Sequence, residues 1–148
     1  MLFELVTPER LVLREEIDQA TIPTQDGEIT VLKHHAALVA NLAAGVLHLT
    51  RGTEEEDVAV AGGVVQISEG GRIRILAETA ERGHELDAVE AIEAARQRAE
   101  AVMNETVRTD DVAFAMASAA LERETARLKT AQRYRSHGRR LSAPETIE

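Results

Sequence analysis

His34 and His35, with Asp26 and Glu28 just before them, are the side chains whose types could gather a divalent metal and activate a bound water. Their spacing works against that chemistry, because neighbouring side chains on an extended segment point to opposite faces and the two imidazoles diverge. The other titratable groups converge no better. His48 stands in an alternating apolar segment and is expected on an exposed strand face, whereas His84 and His137 stand at segment ends and are expected to be solvated. Glu15-Glu16 and Asp110-Asp111 are sequential pairs that suit a strand edge and a helix start better than the two sides of a substrate. The absence of cysteine removes thiolate nucleophiles, thiolate zinc sites and disulfides. Gly62-Gly63 leads into Val64-Val65 rather than into the lysine of a phosphate-cradling loop, and is expected to form a turn or bulge. Neither a catalytic group nor a bound cofactor or metal is expected.

The elements that must position these groups fall into two kinds. All but one of the nine glycines precede residue 84, and thirteen alanines lie between Ala88 and Ala131. Short alternating segments fill the first part, around Leu47 and Leu49, Val58 and Val60, Val65 and Ile67, and Ile73 and Ile75. Asp26-Gly27, Gly45, Arg51-Gly52, Gly62-Gly63, Glu69-Gly70-Gly71 and Arg82-Gly83 separate them, a punctuation that predicts an antiparallel β-sandwich over residues 1–85. Within it, Glu54-Glu55-Glu56-Asp57 is expected at a solvated hairpin tip.

After Gly83 the apolar period lengthens. Asp87 with Glu90 reads as a capping box, and Ala88, Ile92, Ala95, Ala99 and Val102 form one stripe of a helix reaching about Glu105. Thr109 or Asp110 can cap a second helix, whose stripe is Ala113, Ala117, Ala120, Leu121, Leu128 and Ala131 and which Ser136-His137-Gly138 ends. The short connection predicts an antiparallel two-helix hairpin over residues 86–138, followed by a flexible tail at 139–148. The fold class is therefore α+β. Each buried alanine contributes on the order of 1 kcal/mol, against roughly 1.5 to 3 for leucine, so the hairpin is weakly held. It could be a thin fixed arm or one that detaches and rearranges.

Net charge is −9, divided unevenly: −12 over residues 1–120, +5 over 121–140 and −2 over the last eight. The basic helix is either a solvated face or one that meets an acidic surface, belonging to a partner or to this chain. Nucleic acid is disfavoured, because the acidic body repels phosphate and 2% aromatic content leaves almost no stacking platform. No apolar run approaches the roughly 18 residues of a membrane span, and Met1–Arg10 carries Glu4 and Glu9 rather than a signal-like segment.

A succession of short motifs, each weak alone, covers nearly the whole chain in order: Val6-Thr7-Pro8-Glu9, Ile22 through Ile29, Val31-Leu32, His35-Ala36, Val60 through Val64, Ile75 through Glu81 and Leu86-Asp87. Followed by an alanine-rich helical pair, this succession resembles the epsilon subunit of F-type ATP synthase, equivalent to the mitochondrial subunit called delta. The resemblance implies a non-catalytic central-stalk subunit, peripheral to the cytoplasmic face of the bacterial plasma membrane. The sandwich would bind the gamma subunit and the ring of c subunits, helping to couple ion translocation to ATP synthesis. The helices would either fold down on the sandwich or extend along gamma toward the catalytic alpha and beta subunits and inhibit ATP hydrolysis.

Carried over by motif, Glu28 and Thr30 lie at the turn implied to meet the c-ring, and His35 and Ala36 in a loop implied to meet gamma or the ring. Here the chain departs from pattern: Thr30 replaces a common glycine, Lys33-His34 replaces proline-glycine and Ala37 replaces a proline, which would leave the turn more mobile. On the second helix, Arg123 with Arg127 and Lys129 with Arg133 are candidates for the inhibitory contact, unless Glu124 engages Arg127 and Lys129 within the helix. Some relatives bind ATP through Ile or Leu, Asp, two variable residues, Arg and Ala; this chain reads Leu86-Asp87-Ala88-Val89-Glu90-Ala91. Glu90 replaces the phosphate-pairing cation with a repelling carboxylate, so calorimetry of the isolated chain with ATP is expected to show weak binding or none. The composition and periodicity by themselves also suit a free-standing protein-interaction adaptor with a sandwich and a helical arm.

Overall fold

The computed structural model describes residues 1–86, 89–106 and 111–137. Eight strands come first: β1 (Leu2–Val6), β2 (Leu11–Glu16), β3 (Gln19–Thr24), β4 (Gly27–Leu32), β5 (Leu38–Asn41), β6 (Gly45–Arg51), β7 (Glu54–Ile67) and β8 (Ile73–Arg82). A single 3-10 turn at Gly83–Glu85 leads to helices α1 (Val89–Thr106) and α2 (Asp111–His137), which pack together.

The strands hydrogen-bond in the order β2-β1-β8-β7-β6-β3-β4, with β5 joined to β7. All pairs are antiparallel except β1 with β8, which is parallel. β7 serves both layers. Its first half, Glu54–Val60, pairs with β6, and its last four residues, Val64–Ile67, pair with β5. β1 joins only Ile73–Leu76 of β8, opposite that last part of β7, so β2, β1 and β5 belong to one layer and β6, β3 and β4 to the other.

Gly62-Gly63 is therefore not a turn, and the segments around Val58 and Val65 are one strand. The pairing with β8 keeps a constant register through the diglycine, from Val58 opposite Arg82 to Ile67 opposite Ile73. Both glycines have positive φ, 65° and 125°, and the strand changes partner there. At Gly63 a Cβ would lie 1.9 Å from the Leu76 carbonyl oxygen, so only glycine lets β7 pass.

The alternating residues meet between the layers. Phe3, Leu5, Ile22, Val31, Leu47, Val58, Val60, Val65, Ile67, Ile73 and Ile75 are fully or nearly fully buried in one core, to which none of the described helical residues belongs. The acidic run is not a free hairpin tip either, since Glu54–Asp57 open β7 opposite β6 and the turn is Gly52-Thr53. Glu56 falls on the inward face and is buried.

Candidate functional site

Glu28 and Thr30 stand exposed on β4, whose partner β3 places Thr21 opposite Thr30, hydroxyl to hydroxyl at 3.2 Å. The following turn is formed despite its missing proline and glycine. His35 N–H donates to the Leu32 carbonyl oxygen at 3.1 Å, which makes Lys33 and His34 the two central residues. His34 takes φ 72°, the left-handed value that a second central glycine adopts freely and that a turn of this class requires. Proline-glycine fits those two positions by the same geometry. His34→Gly should therefore raise stability by about 0.5 kcal/mol, the relief of left-handed strain less the entropy of a freer unfolded chain, read as a Tm increase of roughly 2 °C. His35 is half-buried, with Nδ1 2.7 Å from the Ala36 carbonyl oxygen, and Ala36 is exposed. Among the described residues no three His, Asp or Glu side chains are placed to share a metal ion.

A bare apolar row crosses the outer face of the neighbouring layer. Register places Asn41, Val64, Leu76, Val6 and Leu11 in line across β5, β7, β8, β1 and β2. Val64 is 40% exposed, Leu76 52% and Leu11 53%, and Val39, two residues along β5, is 69% exposed. Charges flank the row: Glu4 of β1 receives Arg74 of β8 at 3.2 Å and Arg14 of β2 at 3.5 Å. Several contiguous apolar side chains left bare by a well-filled core mark a contact surface.

α2 covers the outer face of the other layer over β8, β7 and β6. Arg127 lies 3.1 Å from Glu81 of β8 and 2.8 Å from Glu124 one turn earlier. Burial pushes the guanidinium down, but Glu81 and Glu124 together outweigh it and hold Arg127 above its ordinary value. Arg133 reaches His48 of β6, with Nη1 2.7 Å from Nε2, and Asp57 of β7 at 3.4 Å. Six residues of helix rise about 9 Å, close to two interstrand spacings, which lets α2 span β8 to β6 with these two arginines. Tyr134 packs on Gly83, where a Cβ would come within 3.0 Å of it. Thr130 is fully buried in the same stretch and its hydroxyl has no partner.

Of the four basic residues singled out on this helix, Arg127 and Arg133 thus meet the chain's own acidic surface, whereas Arg123 and Lys129 are exposed, Arg123 lying 3.7 Å from Glu124. His48 is half-buried between Asp57 and Arg133 rather than free on an exposed face. The α1 stripe also shifts. Ile92 is buried and Ala95, Ala99 and Met103 are half-buried, while Val102 is 48% exposed, because the 3.6-residue period carries position 102 out of line with 92 and 99 and brings 103 in. Asp87, Ala88 and the Glu90 side chain lie outside the described residues, as do Thr109, Asp110 and the segment 138–148, whereas Leu86 and Ala91 of the degraded nucleotide motif are half-buried and exposed, respectively.

Between sandwich and helices sits a charged junction. The Glu85 carboxylate accepts the Arg82 backbone N–H at 2.9 Å and pairs with Arg10 at 2.8 Å. Burial pushes Glu85 upward, but Arg10 and that N–H prevail and hold it below its ordinary value. Glu56 pairs with Arg82, both nearly buried, and its burial outweighs the pairing and raises its value. A raised value means that the native chain binds this proton more tightly than the unfolded chain. The Glu56 contribution to stability is therefore full below the ordinary carboxylate range and is lost as pH rises through the folded value. Arg82→Ala leaves the carboxylate unpaired: stability at neutral pH should fall by about 3 kcal/mol, with part regained on acidification, as urea unfolding at several pH values would read.

Residues 1–83 match the beta-sandwich domain of the ATP synthase delta/epsilon chain. The chain is 39% identical over 133 residues to the ATP synthase epsilon chain of Syntrophomonas wolfei, covering 89% of this chain and 94% of that one. It is 42% identical over 132 residues to the epsilon chain of Symbiobacterium thermophilum, covering 88% and 92%. A chain in the Euglena gracilis mitochondrial ATP synthase structure, comprising OSCP, F1 and the c-ring, superposes with a TM-score of 0.74 at 26% identity, covering 88% of this chain and 79% of that one. A chain of the Tetrahymena thermophila central stalk and c-ring shares the fold at a TM-score of 0.51 and 15% identity, covering 89% and 93%. The order of motifs, the glycine-bent sandwich, the helical pair laid on it and these relatives lead to one conclusion: the chain belongs to the epsilon chain family of the ATP synthases.

Proposed function

We propose that this protein is a non-catalytic rotor subunit that grips the central stalk through its sandwich and restrains ATP hydrolysis through its helices. The single observation that carries the reading is the division of the sandwich surface. One outer face bears the uncovered row Val64, Leu76 and Leu11, and the other carries a charged helix held over β8, β7 and β6. The bare row suits attachment to gamma, and the exposed end of β4 with the turn after it, including Glu28, Thr30, His35 and Ala36, suits the c-ring. Among the described residues no helix is long and apolar enough to cross a membrane, which agrees with a peripheral position on the cytoplasmic face of the bacterial plasma membrane.

The covered face supports the regulatory half of the reading. α2 is held by Arg127, Arg133 and Tyr134 over strands it does not complete, so releasing it leaves the sandwich core whole. Extended, the same helix would turn Arg123, Arg127, Lys129 and Arg133 toward the alpha and beta subunits. The test is an affinity pull-down of tagged full-length protein from detergent extracts of its own membranes. Recovery of gamma with alpha, beta and c subunits is expected; loss of gamma from a folded bait in the presence of intact synthase would favour the free-standing adaptor.

A further inference from the structure

We propose that His48, Asp57 and Arg133 form a proton-responsive latch that holds the C-terminal end of α2 on the sandwich and loosens when His48 gains a proton. The inference deepens the proposed regulatory role, and only its physiological meaning rests on that role. His48 Nδ1 bonds the Asp57 carboxylate, and Arg133 Nη1 lies 2.7 Å from Nε2 and 3.1 Å from Nδ1. An Nη1 nearly equidistant from both ring nitrogens lies against the imidazole face, off the lone-pair axis of either. With hydrogen on Nδ1, Nδ1–H donates to Asp57, and the neutral ring leaves its face to the guanidinium. A proton added at Nε2 makes the ring cationic and sets one cation against another at contact distance. Histidine is the side chain that makes this change between about pH 5 and 8.

The surroundings do little to offset it. Opposite His48 on β3 stands the uncharged Thr21, and on β7 stand Asp57 and, diagonally, the exposed Glu55. From α2 come Arg133 and, one turn before it, the exposed Lys129. The next ion pair, Arg127 with Glu81, lies two strands away on β8, and its carboxylate is already engaged. Among the described residues Asp57 is the one anion in contact with both His48 and Arg133, and it already bonds His48 and reaches Arg133 only at 3.4 Å. Protonation therefore tightens His48 on Asp57 while expelling Arg133, so that the contact between sandwich and helix is the one lost.

The chain has no cysteine, so a spin-label pair can be introduced cleanly at the exposed positions Thr53→Cys and Gln132→Cys of the full-length protein. Distance distributions at pH 8 and pH 5.5 are expected to show the ratio of docked to undocked helix falling about fivefold at the lower pH, as for the loss of one charge-assisted contact. His48→Gln, neutral at both values, and Arg133→Gln, at a half-exposed position where folding is not at stake, should each abolish the change, and Lys129→Gln should retain it. An unchanged distribution in the parent protein, or an equal pH response in the His48 and Arg133 variants, overturns the latch; the latter would assign the response to another group such as Glu56. The readout needs no synthase, so it stands or fails separately from inhibition of hydrolysis.

Discussion

Gly63→Ala is expected to cost the sandwich at least about 4 kcal/mol and to leave little folded protein at 37 °C. Two penalties act together. At φ 125° an L side chain is strained by its own backbone, and the new methyl would sit 1.9 Å from the Leu76 carbonyl oxygen and 2.9 Å from the Ala77 Cα. Neither neighbour is a flexible side-chain end that can turn aside, for both belong to β8, whose register with β7 extends on either side. Relief requires the ladder to open where the strand exchanges β6 for β5, which also disturbs the Leu42 N–H donating to the Gly63 carbonyl oxygen at 2.9 Å. Gly52→Ala is the matched control. Gly52 has φ 59° and nothing within 4 Å of a Cβ, so only the left-handed penalty of roughly 1 to 2 kcal/mol applies. Equal midpoints of urea unfolding for the two variants would show that close approach of β8 does not govern this position.

Removing residues 87–148 is expected to leave assembly with gamma and the c-ring intact and to raise ATP hydrolysis by the assembled synthase roughly fivefold, corresponding to a coupling of ~1 kcal/mol. Among the described residues the core of the sandwich is built from residues 3–80 with Met1 packed against it, so its burial survives the deletion. What the sandwich loses is a covering: Glu81 loses Arg127, Asp57 and His48 lose Arg133, and Gly83 is uncovered. These are polar or small groups that water can take over. Hydrolysis measured on assembled complexes with and without the deletion is the check, and equal rates would show that the helices do not restrain catalysis in this enzyme.

The strand faces were legible because side chains alternate with a period of two wherever the chain is extended: Leu47 and Leu49, Val65 and Ile67, and Ile73 and Ile75 all point into the core as the alternation requires. The helical stripes were legible for the same kind of reason, although choosing Val102 over Met103 placed the stripe one position off. The turn at Lys33-His34 was legible in position but not in order. The substituted residues removed the backbone preference for the turn, yet strands on both sides fix its ends, and His34 accepts a left-handed φ. At the candidate contact surface, no local pattern marked Leu11, Val64 and Leu76 as neighbours, because they come from three strands and meet only through register.

The charge division shows the same boundary. A surplus of +5 over residues 121–140 left open whether the second helix is a solvated face or meets an acidic surface, of a partner or of this chain. The fold supplies Glu81, 46 residues before Arg127, and Asp57, 76 before Arg133, together with a histidine that alternation had placed outward without revealing what would lie above it. Two structural parts, the buried side of most elements, most of the turns and the family could thus be read along the chain. That Gly62-Gly63 bends one long strand, that β1 runs parallel to β8, that Glu56 is buried against Arg82 and that His48 lies beneath Arg133 emerged with the packed fold. Periodicity and turn chemistry are set by backbone geometry within a few residues, whereas these pairings join positions tens of residues apart and exist only once every strand has its register.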